Sequence, residues 1–183
     1  MKRFLAGAIV MAGVLAGLAA APAHASLAVG AKAPDFDLKA AQAGKEFDFS
    51  LAAALKKGPV VLYFFPAAFT TGCTVEAHDF AEATDKFTAL GATVIGVTSG
   101  NADRVTEFSS VECRNKFAVA ADPDQKVVKA YDAVLKLKPE YSDRTSYVIA
   151  PDHTILMVYT DLNPDKHVDM TMDAVKKWKA AHP

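Results

Sequence analysis

The sequence predicts an α/β domain in which a central mixed β-sheet carries helices on both faces and is opened by a β-hairpin. Two continuous apolar runs, residues 60–65 and 93–97, have the pattern of strands buried on both sides. Each run is followed by a stretch whose apolar residues step by three or four, the period of a helix. A second hairpin and a helix close the chain, and this alternation layers helices over a sheet.

The elements follow in order. Residues 33–38 and 45–49 alternate apolar and polar side chains around a small-residue turn, so they form the opening hairpin. After Lys57-Gly58-Pro59 comes the first buried strand. Ala77, Phe80, Ala83, Phe87 and Leu90 then mark a helix that begins near Cys73, and Gly91 stops it. The second buried strand is followed by a helix through Val105 and Phe108 that runs toward Cys113. A short strand at 118–121, a helix across 125–131 and a hairpin of 145–150 with 155–159 come next. Val168, Met172, Val175 and Trp178 give the last helix one apolar stripe, which reads as core packing.

Residues 1–25 stand apart from this pattern. Lys2 and Arg3 precede an apolar run from Phe4 to Ala21 that ends in Ala23-His24-Ala25, the form of a secretory signal peptide cleaved before Ser26. An uncleaved membrane anchor is the competing reading; the small Ala/Gly composition and the A-x-A ending favour cleavage. The remaining domain, residues 26–183, has 158 residues, enough for one hydrophobic core. Without the leader, Lys plus Arg falls from 20 to 18 against 21 Asp plus Glu, a net charge of −3. That balance excludes the basic surface of a nucleic-acid-binding domain. The leader predicts a periplasmic or secreted protein with no membrane attachment after cleavage.

Both cysteines, Cys73 and Cys113, lie in the exported part, where an oxidising compartment favours a structural staple or a redox couple. Cys73 sits seven residues after Pro66 and three after Thr70, where a buried strand gives way to a helix. Unpaired N–H groups and the positive end of the macrodipole at a helix start favour sulfur as an anion. Ionisation alone makes a poor catalyst: a two-unit drop from an ordinary thiol pKa gains roughly 25-fold in thiolate but forfeits roughly eightfold in nucleophilicity. The larger share must come from donors aimed at charge that develops on a substrate. Thr70, one turn before the sulfur, either supplies such a hydroxyl or caps the helix; both roles coexist only if the hydroxyl shares its bonds, which makes Thr71 the candidate for the true cap. Pro66 lacks an N–H and either walls off a small site or ends the strand. Of the arginines at 104, 114 and 144, Arg144 opens a strand from which its guanidinium can project over the crevice beyond the strand ends, whereas the other two fall on or near a polar helix surface.

The spacing P-x-x-x-T-x-x-C at residues 66–73, with Arg144-Thr-Ser-Tyr-Val-Ile149 far downstream, resembles the peroxiredoxin active site. Ala33-Pro-Asp-Phe36 and Phe64-Phe65-Pro66 are similar as well, so the resemblance spans nearly all of residues 26–183. It implies a thioredoxin-like fold, and it places Pro66, Thr70, Cys73 and Arg144 on active-site positions with Cys73 as the peroxide-attacking residue. Thr71-Gly-Cys-Thr-Val-Glu76 is most similar to the bacterioferritin comigratory protein-like subgroup, also called the Q type. Many members of that subgroup carry a resolving cysteine five residues after the first; here His78 holds that place, a helix residue satisfied by solvent or a neighbour. Cys113, 40 residues on, resembles the alternative placement of the resolving cysteine.

The implied activity is a thiol-dependent peroxidase that reduces hydrogen peroxide or organic hydroperoxides, passes through a Cys73 sulfenic acid and a Cys73–Cys113 disulfide, and is restored by a thioredoxin-like protein. It needs no cofactor and no metal, and the chain is expected as a monomer or weak homodimer. An exported thioredoxin-fold disulfide oxidoreductase is an alternative, but Cys73-Thr-Val-Glu76 lacks the second cysteine of its motif. A domain stapled by a structural disulfide is another, worth roughly 3 to 4 kcal/mol for a loop of about 40 residues. A copper or zinc module is disfavoured because His78, His153 and His167 have no ligand spacing with Cys73.

Overall fold

A computed structural model of the chain describes residues 26–183; the expected leader, residues 1–25, lies outside them. Seven strands form one sheet in the order β2-β1-β5-β4-β3-β6-β7. The opening hairpin is β1 (Asp37–Gln42) and β2 (Lys45–Ser50), joined through Ala43 and Gly44, both with positive φ. The sheet is mixed: β3 (Val60–Phe64), β4 (Thr93–Thr98) and β5 (Ala118–Ala121) run parallel, while β6 (Thr145–Ile149) pairs antiparallel with β3 and β7 (Ile155–Thr160) antiparallel with β6. The helices are α1 (Leu51–Leu55), α2 (Thr71–Ala89), α3 (Val105–Val111), α4 (Lys126–Ala130) and α5 (His167–Ala181).

Every residue of β3 is buried, and its period-2 alternation divides the interior. Val60, Leu62 and Phe64 face a cluster with Leu51, Leu55, Val128 and Tyr131, against α1 and α4. Val61 and Tyr63, with Phe65 just beyond, face the other cluster, which holds Phe80, Phe87, Phe108 and Val175 and both cysteines. The Tyr63 ring stacks on Phe80 at 4.4 Å and on Phe65 at 5.5 Å, so this second layer is bound by aromatic contact.

Helix α2 follows the apolar stripe of its sequence, and its start lies two residues before Cys73 because Thr70 takes the N-cap position. It ends in a Schellman motif: Ala92 N–H donates to Phe87 C=O and Gly91 N–H to Thr88 C=O, both 2.9 Å, with Gly91 at φ 81°. One element has no counterpart in the pattern reading. Helix α1 has only five residues; the Ser50 hydroxyl accepts from Ala53 N–H at its start, and a single turn is too short to display a period.

Candidate active site

The chain leaves β3 and turns sharply before α2. Phe69 adopts φ 63°, unusual for an aromatic residue, and is held by an edge contact with Phe108 (5.2 Å) and by the Arg104 guanidinium 3.9 Å above its ring. Thr98 Oγ1 donates to the Pro66 carbonyl at 3.2 Å, which ties the half-buried proline to the end of β4. The turn is therefore fixed from both sides. It sets Cys73 in the first turn of α2, where backbone N–H groups lack helical partners.

Cys73 is 1% exposed, yet it is not sealed among apolar groups. Arg144, 4% exposed and immediately before β6, extends its planar fork over the helix start. Its Nε donates to the Leu162 carbonyl (2.9 Å), its Nη2 to Cys73 Sγ (3.6 Å), and its Nη1 to a carboxyl oxygen, Oε2 of Glu76. Three acceptors, two on the first turns of α2 and one beyond β7, fix one guanidinium, a task suited to five donors in a rigid plane. Of the three arginines named from the sequence, Arg144 is the one the fold brings beside Cys73; Arg104 pairs with Glu107 and Arg114 with Glu82 on exposed surface.

Thr70 is the N-cap residue by position, but its side chain makes no cap bond and instead donates to the Ala67 carbonyl at 3.1 Å. Its hydroxyl keeps both lone pairs, at the exposed rim of the site one turn before the sulfur. Gly72 has a role that motif reading missed: a Cβ there would lie 3.0 Å from Arg144 Nη2, so the bare backbone makes room for the guanidinium. Glu76 was also missed. It is fully buried, and with Cys73, Ala77 and Phe80 it follows the i, i+3, i+4, i+7 spacing of one helix face. A carboxyl on an apolar stripe was the available signal.

Burial pushes the Glu76 carboxyl up to about 8 against the pull of the Arg144 charge. Beside it lies His167, the first residue of α5, fully buried and pushed down to about 4 by burial, which outweighs its bond to the Asp161 carbonyl. Its Nε2 lies 2.9 Å from that carbonyl oxygen and its Nδ1 2.8 Å from Ser146 Oγ on β6.

Cys113 follows α3, is 0% exposed, and is a free thiol like Cys73. Burial pushes its thiol well above the ordinary value, and Glu112 beside it adds to the shift. Arg114 and Asn115 after it both have positive φ, 49° and 63°. A hydrogen-bonded contact between His78 and Glu112 (2.7 Å) and two ion pairs, Glu82 to Arg114 (3.0 Å) and Asp85 to Lys116 (2.9 Å), tie this bend to one face of α2. The neighbour that satisfies His78 is thus Glu112. His153 stands in a turn at φ 66°, and among the described residues no group of three His, Cys, Asp or Glu side chains could hold a metal ion.

The comparisons with known proteins agree on a family. The chain is 30% identical over 156 residues to a chloroplastic peroxiredoxin Q of Sedum lineare, covering 85% of this chain and 81% of that protein. It is 28% identical over 158 residues to peroxiredoxin Bcp of Bacillus subtilis (strain 168), covering 82% and 96%. Of several other plant peroxiredoxin Q proteins the chain spans 63 to 66% of the length. Among solved structures, peroxidoxin BcpB of Mycobacterium tuberculosis superposes with a TM-score of 0.73 at 27% identity, over 81% of this chain and 96% of that one. The superposition and the mixed seven-stranded sheet bear out the thioredoxin-like fold. With residues 29–158 matching the AhpC/TSA family, a span that carries Pro66, Thr70, Cys73, Cys113 and Arg144, this chain belongs to that family and is a peroxiredoxin.

Proposed function

We propose that the protein is a thiol-dependent peroxidase that reduces hydrogen peroxide and organic hydroperoxides at Cys73. The observation that carries this reading is the Arg144 Nη2 donor 3.6 Å from Cys73 Sγ at the N-terminal turn of α2. The peroxidase class is also what the names of the relatives suggest. The Cys73 thiolate attacks one peroxide oxygen; an S–O bond forms, the O–O bond breaks, and an alkoxide or hydroxide leaves and takes up a proton as alcohol or water. Charge builds on both oxygens as this proceeds. A guanidinium already locked by Glu76 and Leu162 stabilises it without reorganising at the moment of reaction. Thr70 supplies a hydroxyl at the open side, and Pro66 limits the water that reaches the site.

Cys73 becomes a sulfenic acid. The Cys113 thiolate then attacks that sulfur, the S–O bond breaks and water forms, leaving a Cys73–Cys113 disulfide. Two electrons from a thioredoxin-like dithiol protein restore both thiols. Both cysteines are buried in the reduced protein, so the resolving step requires local unwinding at the start of α2 or at the 112–116 bend. The signal-like pattern of residues 1–25 supports a site for this chemistry outside the cytoplasm, in the periplasm or beyond it.

Mass spectrometry of the reduced protein after one equivalent of hydrogen peroxide tests the scheme. The wild type should yield a Cys73–Cys113 crosslink, and Cys113→Ser should stop at Cys73 sulfenic acid. Unmodified Cys73 in both would refute the peroxidase reading. Turnover of Cys113→Ser with a dithiol protein at the wild-type rate would remove Cys113 from the resolving role.

A further inference from the structure

Glu76 Oε1 is buried and has no hydrogen-bond partner, although the other oxygen of the same carboxyl accepts from Arg144. Such an atom is costly unless something neutralises or satisfies it. The polar atom it approaches is His167 Nδ1, at 3.6 Å. The state of that ring follows from its other side. Nε2 faces a backbone carbonyl, which only accepts, so Nε2 carries a hydrogen and in the neutral ring Nδ1 is the lone-pair nitrogen. Lone pairs of a carboxylate and of an imidazole would then confront each other in a dry interior. One proton on Oε1, directed at Nδ1, removes the conflict; the Ser146 hydroxyl, 2.8 Å from Nδ1, rotates its own hydrogen in or out to match.

Charge counting points the same way. Arg144 is 4% exposed, Cys73 1%, and Glu76 and His167 0%, so the four groups share one poorly solvated volume. With Cys73 as thiolate, Arg144 charged, His167 neutral and Glu76 protonated, their sum is zero. The sum thus fixes one shared proton on the Glu76–His167 pair; an ionised Glu76 beside a neutral His167 would leave an uncompensated negative charge inside the protein, which burial opposes.

Building on the peroxidase reading above, we infer that His167 is a positioning residue whose Nδ1 accepts a proton held on Glu76, so that the positive charge of Arg144 is left for the Cys73 thiolate. The proton remains on the Glu76–His167 pair while Cys73 gives its own to solvent. No bond to sulfur depends on it. The raised Glu76 and lowered His167 values described above are the ordering this requires. The other groups that bear on the pair are Asp79 on α2, Tyr63 on β3, Tyr159 on β7 with its ring 4.8 Å from His167, Asp161 after β7, and Asp165, which acts on Asp79.

Two substitutions divide the histidine in half. His167→Asn keeps an acceptor where Nδ1 stands, and His167→Gln keeps a donor where Nε2 stands. The readout is the pH profile of Cys73 alkylation by iodoacetamide in the reduced full chain, followed on the Cys73 peptide. In the Gln variant the carboxyl loses its acceptor and reverts toward carboxylate, which competes for Arg144. Its profile should move about one unit alkaline, an approximately tenfold loss of reactivity on the acid limb. The Asn variant should return the profile to that of the wild type. Equal profiles for Gln and wild type, or equal displacement of Gln and Asn, would overturn the inference. Glu76→Gln tests it without touching the histidine: it imitates the carboxyl with its proton in place, so its profile should match the wild type, and an acid shift would show that Glu76 is charged and the inference wrong. Alkylation needs no peroxide, so failure of the wild type to consume hydrogen peroxide would sink the peroxidase reading alone.

Discussion

His78 on α2 and Glu112, the residue before Cys113, are joined at 2.7 Å, so the helix that carries one cysteine is fastened directly to the flank of the other. Glu82–Arg114 and Asp85–Lys116 continue the seam along the same helix face. In the proposed cycle, release of Cys113 has to open that seam. The two outer pairs are largely exposed and individually weak, which leaves His78–Glu112 as the better shielded clasp.

His78→Ala should therefore speed disulfide formation after peroxide while lowering folding stability by only about 0.5 kcal/mol. Stopped-flow fluorescence, which separates sulfenic acid formation from resolution, checks this. A resolution rate unchanged in His78→Ala, or slower than in the wild type, would mean that opening occurs elsewhere.

Gly72→Ala sets stability against activity. Alanine is better than glycine in a helix by about 1 kcal/mol, so the variant should melt no lower than the wild type. Its Cβ presses on Arg144 Nη2 at 3.0 Å, however, and the guanidinium must give way by a few tenths of an ångström. Peroxide kcat/KM should fall by about three- to tenfold, less than the hundredfold that follows a full ångström of misplacement. Full activity would show that the fork has slack.

Arg144→Lys keeps a positive charge but loses the plane that reaches Leu162, Glu76 and Cys73 together. Steady-state kinetics should show a loss of about 100-fold in kcat/KM. A loss under threefold would mean that charge alone suffices.

The buried pair also predicts how stability depends on pH. Glu76 rises from 4.5 to about 8 on folding, so its contribution is complete below 4.5 and is lost as pH climbs through 8. His167 falls from 6.5 to about 4, so its contribution is present above 6.5 and is lost as pH drops through 4. Between about 4.5 and 6.5 the two slopes oppose each other and cancel. Above 6.5 only Glu76 acts, and urea titrations should show about 2 kcal/mol lost by pH 8, at about 1.4 kcal/mol per unit. Glu76→Gln should flatten that decline; a wild type already flat over the same range would contradict the assignment.

These expectations rest unequally on sequence. The buried strand β3, the stripe of α2, the closing hairpin and the position of Cys73 were legible because period and composition report burial of local segments. Arg144 was legible as well, since it opens a strand that points toward the crevice. Glu76 and His167 were not, although Cys73 and Arg144 beside them had been singled out. Glu76 meets Arg144 across 68 residues of chain, and a pattern within one helix says which face is inward without naming what faces it. His167 was weighed only as a metal ligand, and its partners Ser146 and Asp161 come from other elements.

The split of the interior by β3 has a consequence for how the molecule tolerates its own chemistry. Cys73 and Cys113 belong to the cluster that holds Tyr63, with Glu76 on the same face of α2 as Cys73, whereas Leu62, Phe64 and Tyr131 belong to the other cluster. The sheet stands between them as a bulkhead: in the proposed cycle the compartment of the cysteines is the one that has to loosen and reclose, and the opposite layer is the one that can stay shut and preserve the register to which it returns. Substitutions behind that bulkhead are free to change how firmly the protein stands without changing what it does.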